Sequence, residues 1–131
     1  MPTGHPPARD RSLAGAKALV VEDEFVIALE LDVALRSLGC TVTGVAASCE
    51  EALALLERAR PDIGLLDVRL AVGDSGPVAA ALRSAGVPFV VVTGYPAEAI
   101  VDPLLRAAPQ LGKPYDLGEL ERVMRRLLAG R

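Results

Sequence analysis

The stretch LVVEDE, residues 19–24, joins a short apolar run directly to three consecutive acids. The run LVV has the character of a buried strand, whereas Glu22, Asp23 and Glu24 carry like charges that repel one another. Acids at this place indicate either the start of a helix, whose positive end they complement, or a site that holds a cation. We expect the helix-start role for Glu24. Whether Glu22 and Asp23 belong to a helix start or to a cation site depends on the residues that follow the other strands.

Five strand-like stretches alternate with helical patterns along the chain. The strands are KALVV, TVTGVA, DIGLLD, PFVVVT and PQLG, and the first helix, FVIALELDVALRSLG, has apolar residues at helical spacing and stops at Gly39. In the second helix, Ser48 and Glu51 form a possible capping box. This alternation predicts an α/β fold with a doubly wound five-stranded parallel sheet. The last helix has an apolar stripe that comprises Leu117, Leu120, Val123, Met124 and Leu127.

Polar side chains follow the other strands at their predicted ends. Asp67 follows the third strand, Thr93 ends the fourth, and Lys113 follows the fifth. Because the carboxyl ends of parallel strands meet at one edge of the sheet, we expect these side chains and the acids of the first strand to share a cleft.

Such a cleft has the groups needed to bind a divalent cation and to accept a phosphoryl group. Crowded carboxylates repel one another, and a hard divalent cation such as Mg²⁺, which prefers oxygen ligands, relieves the repulsion. The metal can bridge to a phosphoryl oxygen while the Lys113 ammonium contacts a second oxygen and the Thr93 hydroxyl a third. A carboxylate left free can attack phosphorus and form an aspartyl-phosphate. We predict that Asp67 does so, because it follows the most apolar strand and should lie deepest.

The motifs VVEDE, LLDVRL, VVTGY and GKP together resemble the receiver domain of bacterial two-component response regulators, over residues 16 to 130. The resemblance implies a flavodoxin-like receiver fold with strand order 2-1-3-4-5. PFVVVTGY is also similar to the PFxFATGY signature of the FAT GUY single-domain receivers, with Val91 and Val92 in place of Phe-Ala.

The resemblance also implies a role for each site residue. Glu22 and Asp23 would be the metal-binding acidic pair, Asp67 the phosphoacceptor and a further metal ligand, and the backbone carbonyl of Arg69 the last protein ligand of Mg²⁺.

Across the cleft, the resemblance makes Thr93 the switch hydroxyl and Lys113 the phosphate-contacting lysine, and it implies a cis peptide bond between Lys113 and Pro114. Arg69 and Tyr95 stand two residues after Asp67 and Thr93. There they could flank the phosphoryl group and control access to it.

The function implied is that of a single-domain response regulator. It would accept a phosphoryl group on Asp67 from a histidine kinase or phosphotransfer protein, with magnesium, and would signal to an unidentified downstream protein by changing conformation. It would promote its own phosphorylation and dephosphorylation without being a free-standing enzyme. The sequence ends about one helix after Lys113, so we expect no DNA-binding output domain.

Two other functions fit parts of the pattern. A haloacid-dehalogenase-like phosphatase also uses a strand-end Asp and magnesium, but it needs a second Asp two residues on, where Arg69 stands. A pseudo-receiver would bind partners without being phosphorylated, although every residue type of the site is present here.

The segment PAEAIVDPLLRAAPQLG occupies the place of a receiver's fourth helix and fifth strand. Pro96, Pro103 and Pro109 interrupt it, and a proline inside a helix costs about 3 kcal/mol. We therefore predict a fourth helix that is short, broken near Asp102, or reduced to one turn around residues 104–107.

Composition limits the remaining possibilities. A net charge of −3 argues against binding nucleic acid through a basic surface, and no apolar run reaches the roughly 20 residues of a membrane span. Cys40 and Cys49 lack metal-site spacing and suit a reducing compartment, so we expect a cytoplasmic protein, monomeric or weakly dimeric. Residues 1–15 are predicted to be a flexible tail and residues 16–131 the domain.

Overall fold

Five parallel strands form a single sheet in the order β2-β1-β3-β4-β5, which confirms the predicted topology. The structure, a computed structural model, describes residues 13–130. Its strands are β1 (Lys17–Val21), β2 (Thr41–Ala46), β3 (Ile63–Leu66), β4 (Phe89–Thr93) and β5 (Gln110–Gly112).

Helices connect the strands and cover both faces of the sheet. They are α1 (Phe25–Ser37), α2 (Cys49–Arg58), α3 (Gly76–Ser84), α4 (Pro103–Ala107) and α5 (Leu117–Ala129), with a 3₁₀ turn at Ala97–Ala99. None of the helices in residues 13–130 combines the length and hydrophobicity that a bilayer span requires.

Alternate residues of the central strands build two separate cores. Val20 and Leu65 point to the face covered by α1 and α5, whereas Leu19 and Leu66 point to the face covered by α2, α3 and α4. This period of two, with both faces apolar, is why the strands are hydrophobic throughout. It leaves the ends of the strands as the place where polar side chains can gather.

The predicted helix ends are confirmed at α1 and only in part at α2. Gly39 has φ of +92°, the left-handed conformation in which glycine commonly follows a helix. The Ser48 hydroxyl accepts a hydrogen bond from the Glu51 N–H at 3.1 Å, as a capping box requires. The Glu51 carboxylate, however, accepts from the Ala47 N–H at 2.7 Å and not from that of Ser48, so the reciprocal half of the box is displaced by one residue.

The predicted apolar stripe of α5 is confirmed except at its first residue. Leu120, Val123 and Met124 are buried and Leu127 is partly buried against the same core, whereas Leu117 is exposed; Leu128, which was not predicted, is also buried. Leu117 is the first residue of the helix.

The fourth helix is short, as the prolines predict. It has five residues and is separated from the 3₁₀ turn by residues 100–102. Pro103 is its first residue and not an internal one, so its missing N–H breaks no helical bond. Asp102 caps the helix, and its Oδ1 accepts hydrogen bonds from the N–H groups of Leu104 at 2.9 Å and Leu105 at 3.1 Å.

Most of the predicted tail, residues 1–12, lies outside the described residues, as does residue 131. Residues 13–15 were also assigned to that tail, but Leu13 is buried in the core on the α1 side. The N–H of Gly15 donates to the carbonyl of Gly39 at 2.8 Å. The packed part of the described chain therefore begins at Leu13 and not at residue 16.

Candidate functional site

The ends of β1, β3 and β5 bring four predicted site residues together. Glu22, Asp23 and Asp67 each offer a carboxylate oxygen, and these oxygens all lie within 4.8 Å of one another. The Nζ of Lys113 lies 3.3 Å from Glu22 Oε1 and 3.7 Å from Asp67 Oδ2. One ammonium therefore faces a cluster of three carboxylates.

Glu22, and not Asp67 as predicted, is the most deeply buried acid of the cluster. The two residues are 2% and 8% exposed, respectively. Burial raises the pKa of the Glu22 carboxyl, and the nearby Asp67 carboxylate raises it further, whereas hydrogen bonding from the Glu24 N–H and the charge of Lys113 oppose the rise.

The backbone around Asp67 is held on both sides. Its N–H donates to the carbonyl of Val21 at 2.9 Å, and its own carbonyl accepts from the Ser75 hydroxyl at 2.6 Å. Oδ1 accepts from the Val68 N–H at 2.8 Å. The other oxygen, Oδ2, faces the Lys113 ammonium.

Thr93 ends β4 and is 1% exposed. Its hydroxyl accepts a hydrogen bond from the Tyr95 N–H at 3.0 Å, and within residues 13–130 no hydrogen bond joins it to the acidic cluster. A threonine hydroxyl can accept and donate at once, so its proton stays available for an incoming oxygen. The carbonyl of Thr93 also accepts from the Lys113 N–H at 2.9 Å, which ties the two strand ends together.

Arg69 and Tyr95 contact each other at the rim of the cleft. The guanidinium carbon of Arg69 lies 4.9 Å from the centre of the Tyr95 ring, within the range of a cation–π interaction. The two loops that follow β3 and β4 are thereby joined by their side chains. Arg69 also pairs through its backbone with Asp74, which closes the loop after β3 into a tight turn.

The peptide bond between Lys113 and Pro114 is cis, as the resemblance implied.

Ser75 is the site residue that the sequence did not reveal. It stands at the start of α3, where a serine normally signals a helix cap. Nothing in the sequence indicates that its hydroxyl instead contacts the backbone of Asp67, eight positions earlier.

The acidic cluster fits a magnesium ion. Ligand atoms on opposite sides of an octahedral Mg²⁺ lie about 4.2 Å apart, twice the roughly 2.1 Å metal–oxygen distance. The carboxylate oxygens of Glu22, Asp23 and Asp67, all within 4.8 Å, need only small movements to reach this arrangement. Three carboxylates and few other protein ligands also suit a cation that keeps several of its waters.

Comparisons with known proteins agree with this geometry. The response regulator receiver domain family matches residues 18–125. The phyllosphere-induced regulator PhyR of Methylorubrum extorquens is 33% identical over 113 residues, which cover 84% of this chain and 42% of PhyR. The chain thus spans less than half the length of that relative.

Two solved structures of similar size also match. The receiver domain of the sensor histidine kinase PA1611 from Pseudomonas aeruginosa PAO1, with magnesium in its active-site cleft, has a TM-score of 0.77 and 32% identity, covering 88% of this chain and 99% of that one. SdrG from Sphingomonas melonis Fr1 has a TM-score of 0.75 and 36% identity, covering 87% and 97%. The family match covers most of this chain, and the chain has the same fold as these receiver structures. This chain therefore belongs to the response regulator receiver domain family.

Proposed function

We propose that this chain accepts a phosphoryl group on Asp67 from a histidine kinase or a histidine phosphotransfer protein, in a magnesium-dependent reaction, and responds by changing conformation. The observation that carries the proposal is the orientation of Asp67. One carboxylate oxygen and both adjacent peptide groups are held by hydrogen bonds, while Oδ2 faces Lys113 inside an acidic cleft.

Different residues of the chain have different roles in the transfer. Oδ2 of Asp67 forms a bond to phosphorus while the bond from phosphorus to the donor's histidine nitrogen breaks, and the electron pair leaves with that nitrogen. The Lys113 ammonium exchanges its carboxylate partners for a phosphoryl oxygen, and the Thr93 hydroxyl donates to another. Glu22, Asp23, Asp67 and the carbonyl of Arg69 would hold magnesium, which when bound neutralises charge on the phosphoryl oxygens.

A protein is the natural donor, because apolar side chains stand exposed beside the cleft. Phe25 and Val26 directly follow the acids of β1 and are 78% and 65% exposed. Leu29 and Val33 continue the same exposed apolar surface along α1. Exposed apolar clusters of this kind are typical of protein–protein contacts and serve no purpose for a small phosphate donor.

We further propose that the chain is a switch and not a free-standing enzyme. A phosphatase of the haloacid dehalogenase type would need an acid where Arg69 stands, and this arginine instead contacts Tyr95. We place the protein in the cytoplasm, where its free thiols, Cys40 and Cys49, stay reduced.

Incubation with acetyl phosphate and Mg²⁺, followed by intact mass measurement, tests the proposal. The expected result is a gain of about 80 Da in the wild type, the mass of one phosphoryl group replacing a proton, and none in Asp67→Asn. Asp32→Asn is the matched control, since Asp32 lies on α1 and pairs with Arg36 away from the cleft. A wild type without the adduct, or an Asp67→Asn variant that keeps it, would contradict the assignment.

A further inference from the structure

Ser75 has a fully buried hydroxyl that is turned away from the helix it precedes. The residue is 0% exposed and occupies the N-cap position of α3, yet its side chain makes no capping hydrogen bond. The neighbouring Asp74 carboxylate accepts from the Gly76 N–H instead, at 2.9 Å. The Ser75 hydroxyl donates to the carbonyl of Asp67 at 2.6 Å.

This hydrogen bond completes the support around Asp67. β3 ends at Leu66, so the carbonyl of Asp67 lies beyond the ladder of the sheet. Ser75 holds it from the far side of the loop, and the Ser75 N–H donates to the carbonyl of Val68 at 3.0 Å. One serine thereby fixes two successive carbonyls at the phosphoacceptor.

We infer that Ser75 is a positioning residue for phosphoryl transfer to Asp67, an inference that rests on the proposed function. Without the hydroxyl, the peptide group between Asp67 and Val68 gains freedom to rotate. Because the Val68 N–H of that same peptide group holds Oδ1, its rotation moves the whole carboxylate. Oδ2 then spends less time in line with phosphorus, and small misplacements of this kind lower reaction rates strongly.

The inference makes a specific kinetic prediction. Ser75 contacts none of the groups expected to bind the donor's phosphoryl oxygens, namely Lys113 and Thr93, in the described hydrogen bonds. Loss of the hydroxyl should therefore lower the maximal rate of phosphorylation without changing the concentration of donor that gives half of that rate.

The experiment measures phosphorylation rates against acetyl phosphate concentration, at saturating Mg²⁺, for the wild type, Ser75→Ala and Ser75→Thr. We expect Ser75→Ala to lower the maximal rate about tenfold, with the half-saturating concentration within about twofold of the wild type. Ser75→Thr keeps the hydroxyl and should recover at least half of the lost rate. Ser48→Ala is the matched control, because it removes a serine hydroxyl that caps α2 and that has no bond to Asp67 among the described hydrogen bonds.

Three outcomes would overturn the inference: a wild-type maximal rate in Ser75→Ala, an equal loss in Ser48→Ala, or no recovery in Ser75→Thr. Circular dichroism checks that each variant is folded. If Ser75→Ala is unfolded, Ser75→Cys replaces it, since a thiol preserves the size of the side chain and donates only weakly. A wild type that cannot be phosphorylated would refute the proposed function itself, whereas a phosphorylated wild type with an equally fast Ser75→Ala would refute only the role of Ser75.

Discussion

At Glu22, burial opposes the negative charge that a cation site needs. Its pKa is raised above the ordinary value of 4.5, chiefly by loss of solvent. For an acid shifted in this direction, the native state binds more protons than the unfolded state above that value. The native state therefore loses stability as pH rises through the interval between the unfolded and the folded pKa. The ammonium of Lys113, 3.3 Å away, offsets only part of this loss.

Glu22→Gln should accordingly stabilise the metal-free protein at pH 7, by on the order of 1 kcal/mol, because an amide needs no compensating charge when buried. The gain should shrink as pH falls through the raised pKa of Glu22 toward 4.5, because the native wild-type carboxyl takes up its proton above that ordinary value. Urea unfolding between pH 5 and pH 7.5 with a chelator present measures both effects. Glu24→Gln, at an exposed position next to the cluster, is the control and should change little. A less stable Glu22→Gln at pH 7 would contradict the argument.

The contact between Arg69 and Tyr95 has a separate consequence at the scale of single residues. Tyr95 is 44% exposed and its ring lies against the Arg69 guanidinium, and we expect this pair to limit entry of the hydrolytic water. We predict that Arg69→Ala and Tyr95→Ala each shorten the lifetime of the aspartyl-phosphate by about two- to tenfold, since both remove bulk and break the cation–π contact. Loss of the phosphoryl mass with time measures the lifetime. Arg83→Ala, on α3, is the control, and unchanged decay in both rim variants would exclude shielding.

Among the elements, the segment between β4 and β5 departs most from regular secondary structure. It contains a 3₁₀ turn and a single five-residue helix, and this helix depends on Asp102 for its cap. The other oxygen of Asp102 lies against Gly76 at the start of α3, where an added Cβ would collide with it. The short helix is thus anchored beside the loop that carries Asp67.

We expect the amides of residues 96–110 to exchange hydrogen faster than those of α5, because short helices with few internal bonds open at low free-energy cost. Gly76→Ala should increase exchange further at Leu104 and Leu105, whose N–H groups are bonded to Asp102. Hydrogen exchange followed by mass spectrometry measures both. Gly112→Ala is the control, since an added Cβ there meets nothing within 4 Å. Protection equal to that of α5 would show the segment to be rigid.

The structural features that the sequence predicted correctly are those that depend on a local pattern of residues. Strand ends and the short α4 follow from apolar runs and proline positions, and the gathering of Glu22, Asp67 and Lys113 follows from the parallel sheet. The sequence could not predict features that depend on how loops fold back in space. The hydroxyl of Ser75, which contacts Asp67 and does not cap its own helix, is one such feature.

The depth of Glu22 and the exposure of Leu117 were missed for the same reason. Each depends on how the side chain packs in the folded molecule, and a local pattern of apolar and polar residues does not carry that information.

At the scale of the whole molecule, Lys113 connects the edge of the sheet to its centre. It follows β5, the edge strand, yet its ammonium reaches the acids at the ends of β1 and β3. Its N–H is bonded to Thr93 on β4. A change of charge at Asp67 can therefore act on both strands that border α4, because the lysine side chain and its backbone join them to the cleft.

We predict that Lys113→Ala preserves the fold but confines the response to phosphorylation to the cleft. The phosphoryl group carries a charge of roughly −1.5 to −2, and without the ammonium β5 is no longer drawn toward it. Amide NMR shifts with and without beryllofluoride, which stands in for the phosphoryl group, measure the response. In the wild type the changes should extend through β4, α4 and β5, and in the variant they should stay near Asp67.

Lys17→Ala is the matched control, because Lys17 is the only other lysine of the chain and begins β1 at the opposite end of the sheet. It should respond like the wild type. A shift pattern in Lys113→Ala that still reaches α4 would show that the conformational change travels by another route. In that case Ser75 and Gly76, which connect the Asp67 loop to Asp102 without involving β5, are the residues that the structure offers.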